Sequence, residues 1–409
     1  MSFILFDWAT SPIPTIHTTF IFSVYFVNSI AEDSGSFFWG LIIGIAGVFT
    51  AFLGPLLGSF SDKKGNRKKT LFYLVFIGFL ATSLLWYAKP NEKYFLYAIV
   101  FSFISILSME LIFVSYNSLL KKVSDKNDYG KISGLSWCSG YIGGISALII
   151  CLVLFIFPTE LPFNISKDQG GDVRSCMVFI SIWLIVFSLP IFLYVEEPKR
   201  NMTQKNTFNY LIEGFKIITK NKRLLRYFIA RLFYFDALVT IFAFGGIYAS
   251  KVFNFSPIEI LYFAILINIS AALGAFLGGY FDDKLSPFKV IKISISGIIF
   301  SGIILLLINE KNLFWLASFS LGFFIGPLQS SSRVLLTKII PEERGGQFFG
   351  FAIFSGKVTS FLGPLIYGII ATSLNSQKFA MSFVILLLII SIVLIGNKEP
   401  KEILTKKNM

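Results

Sequence analysis

Histidine, cysteine and charge are all scarce in this chain of 409 residues. One histidine, His17, and three scattered cysteines, Cys138, Cys151 and Cys176, leave no zinc cluster, no CxxC pair and no disulfide framework. No GxxxxGK[ST] loop is present, so the chain has no ATPase of its own. No GxSxG elbow and no His/Asp/Glu cluster suggests an enzyme, and no cofactor is implied. The N-terminus has no basic stretch and reaches Asp7 early, which argues against a cleaved signal peptide. Charged residues are 14%, where a soluble protein carries about 25%.

What fills the chain instead is apolar. Hydrophobic residues make up 55% and aromatics 17%, with 48 phenylalanines. No core of this size hides that much apolar surface, so the bilayer must act as solvent. Twelve apolar runs near the ~20 residues of a crossing can be read: Asp7–Ile30, Phe37–Phe60, Thr70–Ala88, Tyr94–Leu120, Lys131–Phe157, Cys176–Val195, Leu224–Phe253, Pro257–Phe281, Phe288–Ile308, Leu313–Ile340, Gly346–Leu374 and Phe379–Gly396. The net charge of +13 would suit nucleic acid, but its placement in short loops between apolar runs rejects that partner. With both termini in the cytoplasm, 26 Lys and Arg fall inside and 7 outside; Arg231, Arg333 and Lys357 are embedded. That bias predicts the orientation, and in a bacterium the inner membrane.

The chain divides near its middle. Residues 196–223 are charged, and Phe208, Leu211, Ile212, Phe215 and Ile218 recur at helical spacing. This predicts a short amphipathic helix on the inner membrane surface, joining bundles at 1–195 and 224–409. Two repeats support two similar halves. LGPLLGSFSD (Leu53–Asp62) returns as LGAFLGGYFD (Leu273–Asp282), matching Gly58 with Gly278 and Asp62 with Asp282. Gly130-KIS-Gly134-LSWC-Ser139-Gly140 returns as Gly346-QFF-Gly350-FAIF-Ser355-Gly356. The expected fold is an all-α membrane protein of twelve helices in two pseudo-symmetric six-helix bundles.

The stretch Gly58-xxx-Asp62-xx-Gly65-x-Arg67-Lys68 has a legible physics. Its glycines let helices approach closely, and its carboxylate sits at the membrane rim, where a helix N-terminus carries partial positive charge. The form resembles the signature loop of the major facilitator superfamily. FDWATSPIPTIHTTFIFSVYF (Phe6–Phe26), VSYNSLLKKV with ISGLSWCSGYIGG (Val114–Gly144), and GPLQSSSRVLLTKIIPEERGGQFFGFAIFSGKVTSFLGP (Gly326–Pro364) narrow the likeness. They resemble the autophagy-related vacuole effluxer family within that superfamily. Two departures stand out: Pro12, Ile13 and Pro14 follow the DWAxS start, and Lys121 replaces a usual proline. The resemblance implies a monomeric secondary transporter, an amino-acid-like solute and efflux. It implies that Asp62 faces the start of run eleven near Gly346, and Asp282 the start of run five near Gly130, as gating contacts.

Embedded charges point to the mechanism, because each costs ~2.5–3.5 kcal/mol at a helix centre. Glu110, Arg231, Asp236, Arg333 and Lys357 are candidates for coupling or substrate binding. Depth along the helices predicts an Asp236–Lys357 pair and sets Glu110 within reach of Arg333 or Lys357. One carboxylate is expected to exchange a proton, unless the pairs only fix packing. Thr15 and His17 in run one, with Asn117 and Gln329, are expected to line a polar cavity. The function expected is alternating-access transport of a small polar solute, coupled to protons. The rival is a receptor or scaffold that shares the fold and moves nothing.

Overall fold

The computed structural model describes residues 1–31, 35–162, 165–197 and 206–403. Among these the chain is helical, without strands. The first crossing is irregular: helix α1 (Ser2–Thr10), a π-helical stretch Ile13–Phe20, a turn Phe22–Tyr25 and a second π-helical stretch Phe26–Ile30. Pro12 and Pro14 explain the widening. Each lacks an N–H and pushes away the carbonyl four residues back. Beyond them the hydrogen bonds span five residues, from Ile21 to Ile16 (3.0 Å); the second stretch, where Ala31 bonds to the Phe26 carbonyl (2.9 Å), has no proline beside it.

Regular helices follow: α2 (Gly35–Lys64), α3 (Arg67–Leu84), α4 (Phe95–Ser118), α5 (Tyr129–Cys151), α6 (Gly171–Tyr194), the short α7 (Thr207–Lys220), α8 (Lys222–Phe253), α9 (Pro257–Lys284), α10 (Pro287–Leu307) and α11 (Lys311–Ile339). The eleventh crossing is cut in two, α12 (Gly345–Lys357) and α13 (Leu362–Ser373), and α14 (Gln377–Ile395) ends the bundle. Eleven of the crossings are long and apolar enough to span a membrane as helices. The π-widened first segment is the twelfth. The break at 358–361 has a local cause. Pro364 lacks the N–H that would bond to the Ser360 carbonyl, and its ring clashes there. Tight turns close the gap, with Leu362 bonding to the Thr359 carbonyl at 2.7 Å.

Buried apolar residues form two clusters. One runs from Phe3 to Val195, with Val334 added, and the other from Ile218 to Ile395. Each half thus has its own core. The outer faces stay greasy, with Leu193, Leu307 and Leu316 each about 70% exposed or more. Lipid is the solvent for such faces.

Between the halves the packing is reciprocal. Helix α2 lies on α12, and α9 lies on α5. Both described chain ends lie on one face. The Phe3 carbonyl accepts from Tyr116 near the end of α4, and Ile403 bonds to the Ile339 carbonyl at the end of α11. We call this the terminal face.

Candidate functional site

The terminal face is sealed by matched contacts. The Asp62 carboxylate, at the end of α2, accepts from the Gly346 N–H (2.9 Å) and the Gln347 N–H (2.8 Å) at the start of α12. Those N–H groups have no partner within their own helix, and the helix dipole favours a negative charge beside them. Arg67 holds the same carboxylate at 2.5 Å and donates to the Glu342 carbonyl across the seam. Gly65, at φ +63°, lets the chain turn between Asp62 and Arg67 where a side chain would be strained. Gly58 is required by the close approach, since a Cβ there would collide with the Gly346 carbonyl.

The second copy is one residue out of the register expected. Asp283, not Asp282, accepts from the Gly130 N–H and the Lys131 N–H, each at 2.8 Å. The glycine at the seam is Gly279, against Gly130, while Gly278 packs on Pro327 of α11 within its own half. The stretch GGYFDD holds two glycines and two aspartates side by side, so either register fits the letters. Backbone packing selects the spacing of 221 residues, from Gly58 to Gly279 and from Asp62 to Asp283. Asp282 points instead into the packed interior and is fully buried.

A polar seam continues inward. Lys121 donates to the Ile340 carbonyl across the halves at 2.5 Å, and burial pushes its ammonium below the ordinary lysine value. The lysine that departs from the family pattern is therefore a bridge between halves. Arg333 on α11 crosses to three groups: Asp7 (3.1 Å), Asn117 (3.4 Å) and Ser133, whose hydroxyl and carbonyl each accept at 2.8 Å. Tyr141 donates to Gln329. Asn117, Gln329, Arg231 and Arg333 line a small pocket of about 50 Å³ with Trp137 and Phe235. Arg231 stacks on Phe235 and donates to the Ala352 carbonyl at 3.2 Å.

Of the expected pairings of embedded charges, Glu110 with Lys357 forms and Asp236 with Lys357 does not. Lys357, the last residue of α12, donates to Glu110 of α4 at 2.7 Å. Asp236 does not meet Lys357. Its carboxylate caps the cut helix α13, accepting from the Gly363 N–H at 3.0 Å. An unbroken eleventh helix would bring Lys357 to the depth of Asp236; the break after Lys357 removes that pairing. The signal lay in Pro364, whose position in the first turn of a helix marks a fresh start. Lys357 lies one turn beyond Ile353, and Glu110 two turns before Asn117, both lining residues of the small pocket. The pair therefore faces the space between halves. Its side chains keep 26% and 31% exposure.

Towards the opposite face a cavity of about 880 Å³ opens between the halves. Thr15, Thr18, Thr19, Ser23 and Trp39 line it from one half, and Ile241, Phe263 and Asn268 from the other. His17 does not reach this cavity. It is wholly buried, bonded to Ser102 at 3.1 Å and packed against Phe22 and Trp39. The π-helical stretch turns it into its own bundle, away from Thr15, and helical spacing alone could not foresee that rotation.

The short helix α7 completes the sealed face. Gly214 lies on the Gln347 side chain, whose Nε2 donates to the Tyr210 carbonyl (2.6 Å), and Glu213 pairs with Arg344 (3.2 Å). It thus holds Gln347, whose own N–H bonds to the Asp62 carboxylate.

Comparison with known proteins now adds to this geometry. The family model for vacuole effluxer Atg22-like proteins matches residues 120–397, and that of the major facilitator superfamily matches residues 1–148. An uncharacterized MFS-type transporter, YxiO of Bacillus subtilis, is 24% identical over 97% of this chain and 93% of its own. Autophagy-related protein 22 of Kluyveromyces lactis is 23% identical over 83% of this chain and 75% of its own. Among solved structures, the proton:xylose symporter XylE has a TM-score of 0.75 at 11% identity, covering 98% of this chain and 95% of that one. The transporter FucP in its outward conformation has a TM-score of 0.73 at 13% identity, covering 96% of each. These folds agree with two six-helix bundles around a central path. The chain belongs to the vacuole effluxer Atg22-like family, with the transporter fold of the major facilitator superfamily.

Proposed function

We propose that this protein is a secondary active transporter that moves a small polar solute by rocking residues 1–195 against residues 224–409, with 196–223 as the tether. The observation that carries this reading is the asymmetry between faces: a cavity of about 880 Å³ on one side and a charge-capped seam on the other. That is one of the two end states alternating access requires. Asp62 and Asp283 act as latches, because each binds a helix start in the other half only while the terminal face is closed. The Glu110–Lys357 pair and Asp236 lie on the path between cavity and seam. A proton supplies the coupling, carried by carboxylates whose partners change as the halves move.

The lysine and arginine bias supports a terminal face that lies on the cytoplasmic side. A hydroxyl-rich cavity facing away from it suits a polar solute, and the family likeness favours an amino-acid-like one moved outward by a monomer. A thermal-shift screen of the purified protein against amino acids, nucleosides, sugars and short peptides at two pH values tests this. A true solute raises the melting point with the logarithm of its concentration and is then carried into proteoliposomes under a pH gradient. A receptor would show the shift without any flux, and that outcome would overturn the transport reading.

A further inference from the structure

Sealing the terminal face leaves one acid unanswered. Asp282 is fully buried, and neither of its carboxylate oxygens has a hydrogen-bond partner. The Ser331 hydroxyl beside it, equally buried, has none either. Lys338 of α11, the cation within reach, gives its ammonium hydrogen bond to the Asp282 backbone carbonyl (3.3 Å). It makes no ion pair with the carboxylate. Asp283, next in the chain, adds negative charge nearby while it holds the Gly130 and Lys131 N–H groups. Among the described residues α5, α8 and α10 bring Asp282 no further charged group. From α5 it meets the glycine Gly130, and the Lys131 side chain is exposed.

An ionised carboxylate cannot stay in such a place without a large penalty, since burying an unpaired charge costs several kcal/mol and the group neutralises instead. A neutral carboxyl group fits, and as an O–H donor it can bond to the Ser331 oxygen. When α9 parts from α5, water reaches the site and the penalty for ionisation disappears.

We propose that Asp282 carries a proton while the terminal face is sealed and releases it to water on that face when the seam opens. The O–H bond of the carboxyl group breaks, the proton passes to water, and the carboxylate stays behind; resealing reverses each step. One acid of the tandem pair thus latches the seam and the other meters a proton against it. The proposal rests on the reading that the terminal face opens and closes.

The test uses the full chain in lipid nanodiscs, with Cys138, Cys151 and Cys176 changed to alanine and spin labels at the exposed Asp125 and Lys284, one on each half. Pulsed electron spin resonance reads the distance between them from pH 5 to 8. In the parent the open fraction rises with pH, by up to about tenfold per unit for a single linked proton. In Asp282→Asn, uncharged at every pH, the face stays closed and the pH response disappears. Asp282→Leu gives the same test should the asparagine variant fold poorly. Infrared spectra supply a readout apart from motion: the protonated-carboxyl band of the closed parent is missing in Asp282→Asn. An unchanged pH response in both variants, or an unchanged band, overturns the proposal while leaving the moving seam intact. A fixed distance in every variant, including one with Asp62 and Asp283 both changed to asparagine, overturns the moving seam and the proposal with it.

Discussion

Glu110 and Lys357 join the two halves through an ion pair of 2.7 Å, each on a helix of a different half. The pair faces the space between the halves. It is also the point where α12 ends, so the lysine sits at the negative end of a helix dipole.

Removing one partner should hurt more than removing both. Lys357→Met leaves the Glu110 carboxylate alone between the halves, whereas Glu110→Gln with Lys357→Met leaves no charge. Partial exposure softens the penalty, so the single change is expected to cost about 1–3 kcal/mol and the double change less. Thermal melting in detergent checks this, and a double loss equal to the sum of the losses of Lys357→Met and Glu110→Gln would show the charges to be independent. In transport, Glu110→Gln is expected to lose flux driven by a pH gradient while keeping solute exchange. Equal loss of both would count against a proton role for Glu110.

The one-residue register of the second repeat makes a sharp comparison. Gly279→Ala drives a methyl group into the Gly130 carbonyl of the other half, so it should force the terminal face open. Gly278→Ala pushes against Pro327 of the same half, so it should lower the melting point without opening the seam. Alkylation of a cysteine placed at Ser133, buried against Ser330 when sealed, separates the two. Faster labelling in Gly278→Ala than in Gly279→Ala would reverse the assignment.

Asp236 acts as the cap of a helix that starts inside the membrane. Asp236→Asn keeps an acceptor for the Gly363 N–H and should be mild. Asp236→Leu leaves that donor unanswered in a low-dielectric setting and should cost about 1–2 kcal/mol. Hydrogen exchange at the start of α13 is the direct measurement. Protection unchanged in Asp236→Leu would show that the cap is dispensable.

The amino-acid sequence determined the architecture because the bilayer leaves few choices. Backbone groups in lipid must bond within their own segment, so twelve apolar runs mean twelve helical crossings. The repeated Gly-xxx-Gly and Asp signals likewise point to two halves, and the Asp62 contact with Gly346 is the one that the family resemblance implies. What only the tertiary structure decided is which side chain meets which. Pro12, Pro14 and Pro364 rotate and cut their helices, and so turn His17 inward, give Asp236 to Gly363 and leave Lys357 to Glu110. Between Asp282 and Asp283, identical in type and adjacent in the chain, the choice lay with backbone packing at Gly130, which no local pattern encodes.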